Sequence, residues 1–385
     1  MTPNGAGRVV GLDIARAVAL VGMMATHILP GVGPEGVTFS QQVAGGRASA
    51  LFAVLAGASI ALMTGRSAPH RGQRGLATGA GIAARAALIA AVGMLLAEVD
   101  SGIAVILTYY GLLFVLAVPF IGLGAGPLAL LSALWVLAAP VVSHLLRPHL
   151  PPPSYDSPTF ASLTDPWQLL TELTFTGYYP VVPWLAYLFA GMAIGRLDLA
   201  RWSTTALVGA VGIMLAAWSW ALSAALLSRA GVRSTLVETF TGPGALETFD
   251  MTLERGLYGT TPTGSWWWLA VRSPHTATPF DLAHTIGTAL MVTAACLALG
   301  RLAPRVLAVV FGAGAMTLTL YSAHVASRAP GWWDGDTMGT FLGQVAAVLL
   351  VGAAVALLRR RGPLEAVVRW AQEGVRRAAA ATLRR

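Results

Sequence analysis

Apolar residues run along this chain in long stretches separated by short polar turns, almost without pause from Val9 to Leu358. A helix rises 1.5 Å per residue, so about 20 residues cross the roughly 30 Å of a bilayer's hydrocarbon. On that ruler the pattern predicts helical spans at 12–29, 48–64, 79–98, 103–123, 127–146, 181–196, 204–227, 282–300, 306–326 and 340–358. The expected fold is all-α: a polytopic helical membrane protein with about ten transmembrane helices and both termini cytoplasmic. The first stretch lacks a small-x-small cleavage pattern after a short apolar region, so it reads as a retained helix.

Charge supports the even count. With the N-terminus inside, the inner connections collect Arg66, Arg71, Arg74 and Arg85, then Arg196 and Arg201, then Arg301 and Arg305, then Arg359, Arg360 and Arg361. The outer connections receive Glu98 and Asp100, then Asp156, Asp165 and Glu172, then Glu238, Glu247, Asp250 and Glu254, then Asp334 and Asp336. Basic residues favour the cytoplasmic side, and an odd number of spans would place arginine clusters outside. One membrane domain over 1–361 is expected, with long external loops at 147–180 and 228–279. The second of these carries Trp266, Trp267 and Trp268, rings suited to the headgroup level. In the tail, 362–385, Leu364, Val367, Val368, Ala371 and Val375 recur at helical spacing against Arg369, Arg376 and Arg377. That predicts a basic amphipathic helix, lying on the anionic inner leaflet or packed on cytoplasmic loops.

Composition narrows the class further. The chain is 56% hydrophobic and only 11% charged, with a mean hydropathy of +0.67, whereas a soluble domain commonly carries about a quarter charged residues. The net charge of +8 falls in short clusters between apolar stretches, so it encodes topology and predicts no nucleic-acid partner; membrane lipids are the expected surroundings. The single cysteine, Cys296, lies inside an apolar stretch, which excludes an intrachain disulfide and a thiolate metal cluster. No phosphate loop, HExxH metal signature or dinucleotide fingerprint is present, and no metal is expected. Gly191 and Gly195 have the GxxxG spacing that lets helices approach closely.

Ionisable groups inside spans cost several kcal/mol unless paired or hydrated. Asp13 and Arg16 sit one turn apart in the first span. They form either a structural ion pair or a pair whose guanidinium also meets a phosphate from the cytoplasm. His27 lies about three turns further along the same helix; it is either an interfacial residue or a base able to take a proton from a hydroxyl or amine. At the same outer level the topology gathers Arg47, Glu98, Asp100, Tyr109, Tyr110, His275, Asp281, His284 and His324.

The opening stretch GLDIARAVALVGMMATH resembles the LD-x-x-R-G-x-A-x-x-G-M first-helix signature of bacterial YeiB-like membrane proteins and the related heparan-alpha-glucosaminide N-acetyltransferases, with Ala17 where a glycine is usual. Further stretches agree in order, among them GGRASALFAVLAG, ILTYYGLLFVLAVPF, YYPVVPWLAYLFAGMAIGR, TPFDLAHTIGTAL, GAMTLTLYSAH and GPLEAVVRW. The resemblance implies a multi-pass protein of the bacterial cytoplasmic membrane. It also implies an acyltransferase that moves an acetyl group from cytoplasmic acyl-CoA (acetyl-CoA) to a hydroxyl or amine of an extracytoplasmic sugar or envelope glycolipid. On that reading Arg16 and Arg85 engage the donor's pyrophosphate with Asp13 beside Arg16 in the same donor site, His27 or His324 acts as base, Arg47 or Tyr110 polarises the carbonyl, and His275 and Asp281 complete the outer site. A transporter or flippase, and a non-enzymatic envelope assembly protein, stand as the rival readings; a homodimer is the expected oligomer.

Overall fold

A computed structural model of the chain describes residues 9–240, 249–333 and 335–383; the expected external acids Glu247 and Asp334 and the last two tail arginines fall outside them. The described residues form an all-α polytopic membrane protein in which one two-stranded hairpin, Val32 paired with Val37, is the only sheet.

Among the described residues, seven helices are long and apolar enough to cross a membrane. In the labels used below they are α1 (Val10–Ile28), α2 (Arg47–Met63), α3 (Gly72–Ala97), α5 (Ala125–Leu146), α7 (Trp202–Leu227), α8 (Pro279–Leu302) and α10 (Met338–Leu357). Between them in sequence come α4 (Leu107–Ala117), α6 (Val181–Gly195) and α9 (Thr317–Ser327), and the tail forms α11 (Pro363–Thr382).

The three shorter helices are where the structure departs from the length ruler. The fourth apolar stretch is helical only from Leu107 to Phe120, and the ninth is broken into Pro304–Val310, a tight turn at Gly312–Ala315, and α9. The sixth, α6, has 15 residues and follows the helical segment Pro166–Thr176 at a bend of 52°. Nearly every residue of α6, from Pro183 to Gly195, is buried in protein. A helix wrapped by other helices need not match the bilayer's thickness, and irregular backbone at membrane depth is tolerated where protein or a cavity lines it.

Local chemistry sets the ends. Pro30 forces Leu29 into extended backbone (ψ 144°) and stops α1. Thr278 caps α8 by accepting from Asp281 N, with Pro279 in the first helical position, and Thr337 caps α10 by accepting from Thr340 N.

The helices α2 and α6 cross at near backbone contact. A Cβ on Gly191 would meet the Val54 carbonyl and one on Gly57 the Leu188 carbonyl, so the GxxxG spacing is used as expected. Below that crossing the Arg196 guanidinium donates to the carbonyls of Ala61 (2.9 Å), Arg66 (3.0 Å) and Leu123 (3.1 Å) and to Thr64 Oγ1 (2.9 Å). It ties the end of α2 to the turn after α4 and leaves no orphan donor. The tail helix α11 packs along the first half of α3 and, through Glu365, on α9, where the carboxylate accepts from Thr319 N (3.1 Å) and Oγ1 (2.5 Å).

Candidate functional site

Because α4 begins only at Leu107 and α9 only at Thr317, space opens at both ends of the buried bundle. Two cavities occupy it, one toward each end of α1. The larger, about 1040 Å³, is lined by His27 and His275 together with Glu98, Asp100, Tyr178 and Tyr258. The smaller, about 500 Å³, is lined by Asp13, Arg16, Arg85, Tyr110, Glu365 and Arg369.

The histidine cavity is built around two imidazoles set edge to edge. The His27 and His324 rings lie parallel, 5.3 Å between centroids and 7° between planes, with His27 Nδ1 3.1 Å from His324 Nε2. His324 Nδ1 in turn lies 2.7 Å from Gln344 Oε1 on α10. Gln344 is buried in a helix whose exposed face is apolar, and an amide there would cost several kcal/mol without a partner.

His275 reaches the cavity from a strained turn. It and Ala277 have left-handed backbone (φ 55° and 50°), a conformation costing of order 1 kcal/mol or more for such residues. The Asp281 carboxylate holds that turn by accepting from Thr276 N (3.1 Å) and Ala277 N (3.0 Å). The His275 ring packs on Tyr178 and Tyr179, at 4.6 and 6.0 Å between centroids. Burial pushes the His275 imidazolium down to about 4, so the ring is neutral at physiological pH. Burial, with Asp156 and Glu172 nearby, pushes the Tyr258 phenol up to about 12, so it stays a hydrogen-bond donor; it donates to the Tyr155 carbonyl.

The arginine cavity has a different character. Arg16 pairs with Asp13 (Nη1 to Oδ1, 2.6 Å) and donates from Nη2 to Ser59 Oγ (2.9 Å). Arg85 Nε and the Tyr110 hydroxyl are buried with no hydrogen-bond partner among the described residues, and both side chains line this cavity. A buried donor left unpaired costs about 1–3 kcal/mol, so the cavity holds two donors in want of an acceptor. Tyr110 is held between Phe52 and Phe114 by ring stacking. Tyr321, which lines the same cavity, accepts a hydrogen bond from Ile106 N (3.4 Å), next to the Ile103–Ala104 backbone that lines the other one. Tyr110 and Tyr321 thus line the arginine cavity together, and Tyr321 is tied to the segment that leads to the other space.

Of the expected site residues, the structure brings His27 and His275 to one cavity with His324 directly behind His27. It brings Asp13, Arg16, Arg85 and Tyr110 to the other. Arg47 and Asp281 line neither. Arg47 donates to Gln42 O (2.7 Å) and Gly45 O (3.4 Å) and lies 3.4 Å from His284 Nε2, while Asp281 serves the turn before α8. Three participants escaped the sequence reading: Gln344, Glu365 and the cavity role of Arg369. Gln344 had a usable signal as the lone amide in an otherwise apolar span. Among the described residues no group of His, Cys, Asp and Glu is arranged to hold a metal ion.

A search of curated proteins finds no match to the chain. A family profile described as "Heparan-alpha-glucosaminide N-acetyltransferase, catalytic" matches residues 8–227 of the 385. The match spans His27, Arg16, Arg85 and Tyr110 but not His275, His324 or Gln344. Covering more than half of the chain with a single match, it makes this protein a member of the heparan-alpha-glucosaminide N-acetyltransferase catalytic family.

Proposed function

We propose that the protein is a transmembrane acetyltransferase of the YeiB-like branch of its family. It takes the acetyl group of acetyl-CoA from the cytoplasmic side and passes it to a hydroxyl or amine of an extracytoplasmic sugar or envelope glycolipid. The observation that carries this reading is the pair of chemically opposite cavities at the two ends of α1. Guanidinium donors at one end and paired histidines at the other suit a donor's phosphates and an acceptor's proton better than they suit one carried solute.

The arginine cavity suits the donor. Guanidinium forks match phosphate oxygens, and the orphan Nε of Arg85, beside Arg16 and Arg369, offers a pyrophosphate an unused donor. Arg16 and His27 are separated by about 16 Å along the helix axis at 1.5 Å per residue, a span of the order of an extended pantetheine arm. The thioester then arrives beside Tyr110, whose unpartnered hydroxyl donates to the carbonyl oxygen as negative charge grows on it.

In the histidine cavity the acceptor's hydroxyl or amine lies against His27. Its oxygen or nitrogen forms the new bond to the acetyl carbon while its proton passes to His27; the carbon–sulfur bond breaks, and the leaving thiolate takes a proton back from the imidazolium. This is direct transfer in one displacement sequence, with no acyl-enzyme. Tyr178, Tyr179 and Tyr258 give the cavity aromatic faces, and Glu98 and Asp100 give it acceptors for hydroxyl or ammonium groups. Arg47 and Asp281 act indirectly, shaping the turns that present α2 and His275.

The test is acetyl transfer by purified protein from labelled acetyl-CoA across a panel of sugars and envelope glycolipids. Product is expected from at least one acceptor, with saturable acetyl-CoA binding. Absence of both turnover and acetyl-CoA binding would remove the enzyme reading.

A further inference from the structure

We infer that Gln344 is a positioning residue which, through His324, fixes the tautomer of His27 and leaves Nε2 of that ring unprotonated. The catalytic consequence rests on the acetyltransferase reading; the tautomer does not.

A neutral imidazole has one N–H donor and one lone pair, and the hydrogen bond made by one nitrogen decides the state of the other. The Gln344 amide is oriented by Trp333, whose carbonyl receives its Nε2 (3.5 Å). Oε1 is therefore the atom at His324 Nδ1, 2.7 Å away, and it can only accept. His324 must carry its proton on Nδ1 and its lone pair on Nε2. That lone pair faces His27 Nδ1 at 3.1 Å, so His27 donates from Nδ1. Its Nε2 is then the bare nitrogen of a ring that lines the cavity, as a base requires. Each bond in the series dictates the next, and the series ends at the one side chain with no titratable proton.

The placement of Gln344 agrees with this role. Only Gln344, Val348 and Gly352 of α10 are buried, so the helix spends its innermost position on an amide. A leucine there would fill similar space and take no part in the series. With leucine, His324 Nδ1 loses its acceptor, its proton moves to Nε2, and that N–H points at His27 Nδ1. The His27 proton is driven to Nε2, where the base should be bare.

The experiment is ¹⁵N NMR of the histidine side chains in the purified full chain, with His27 and His324 assigned by single substitution, beside acetyl-transfer kinetics of Gln344→Leu and Gln344→Glu. In the native protein both rings should carry protons on Nδ1. In Gln344→Leu both should carry them on Nε2, kcat should fall by about 100-fold or more, the range of a general base's contribution, and KM for acetyl-CoA should hold. Gln344→Glu keeps an accepting oxygen and should keep both tautomers and most of kcat. Native His27 protonated on Nε2 would overturn the inference even if no variant folds, and so would tautomers or turnover unmoved in Gln344→Leu. Tautomers that invert as stated in a protein transferring acetyl to no acceptor would leave the series standing and defeat the acetyltransferase reading instead.

Discussion

The two ends of α1 hold their polar groups in opposite ways. At the histidine end, the ring nitrogens of His324 and Nδ1 of His27 are committed within protein, from Gln344 inward, and His27 itself lines the cavity. At the arginine end, Asp13 and Ser59 hold part of Arg16, while Arg85 Nε and the Tyr110 hydroxyl wait unpaired. One end is preorganised by its own hydrogen bonds; the other is completed only by what enters it. That difference is the one expected between a site that moves a proton and a site that grips an anion, since tautomer control needs fixed neighbours and binding rewards unused donors.

Substitutions at the two ends should therefore fail differently. His27→Ala is expected to lower kcat by about 10²–10⁴-fold, the span of general-base catalysis, with acetyl-CoA affinity intact in a binding assay. Arg85→Met should do the reverse, weakening acetyl-CoA binding by about 10–100-fold, as losing a charge-assisted hydrogen bond does. Because Arg85 Nε makes no hydrogen bond among the described residues, removing it should lower the thermal unfolding midpoint only slightly. If both variants lose binding alike, the division of labour is wrong.

Gly191→Val probes the scaffold beneath both ends. Its side chain would collide with the Val54 carbonyl, and overpacking of that kind costs about 1–3 kcal/mol. The unfolding midpoint should drop, and kcat and donor binding should suffer together.

The smallest effect concerns His275. Its folded-state pKa lies near 4 against an ordinary 6.5. Protons therefore bind the unfolded chain first, so stability is full above about 6.5 and declines as pH falls toward 4. His275→Gln should flatten the midpoint-against-pH curve in that window, by no more than one proton's slope. An unchanged curve would place the ring in water.

Much of this molecule can be read in its sequence, though unevenly. The seven long helices follow from apolar length, because a span facing lipid must match the bilayer. The helices α4, α6 and α9 did not follow from it, since burial within the bundle frees them from that constraint and their true ends lie at cavities. His27, His324, Arg16 and Arg85 were visible singly as costly groups in greasy surroundings. That His27 touches His324 depends on how α1 packs beside α9, which no local pattern encodes. The same limit explains Arg47 and Asp281: a charge near a span end announces a need for partners, and these two find theirs in backbone turns rather than in a ligand's cavity.

The account depends most on donor and acceptor meeting from opposite faces of the bilayer. Sealed vesicles holding the protein, with labelled acetyl-CoA outside and the accepting sugar or glycolipid confined to the lumen, measure that directly. Labelled acetyl should appear on the luminal acceptor, vanish in His27→Ala, and demand more acetyl-CoA in Arg85→Met. Product formed only when donor and acceptor share a compartment would contradict it.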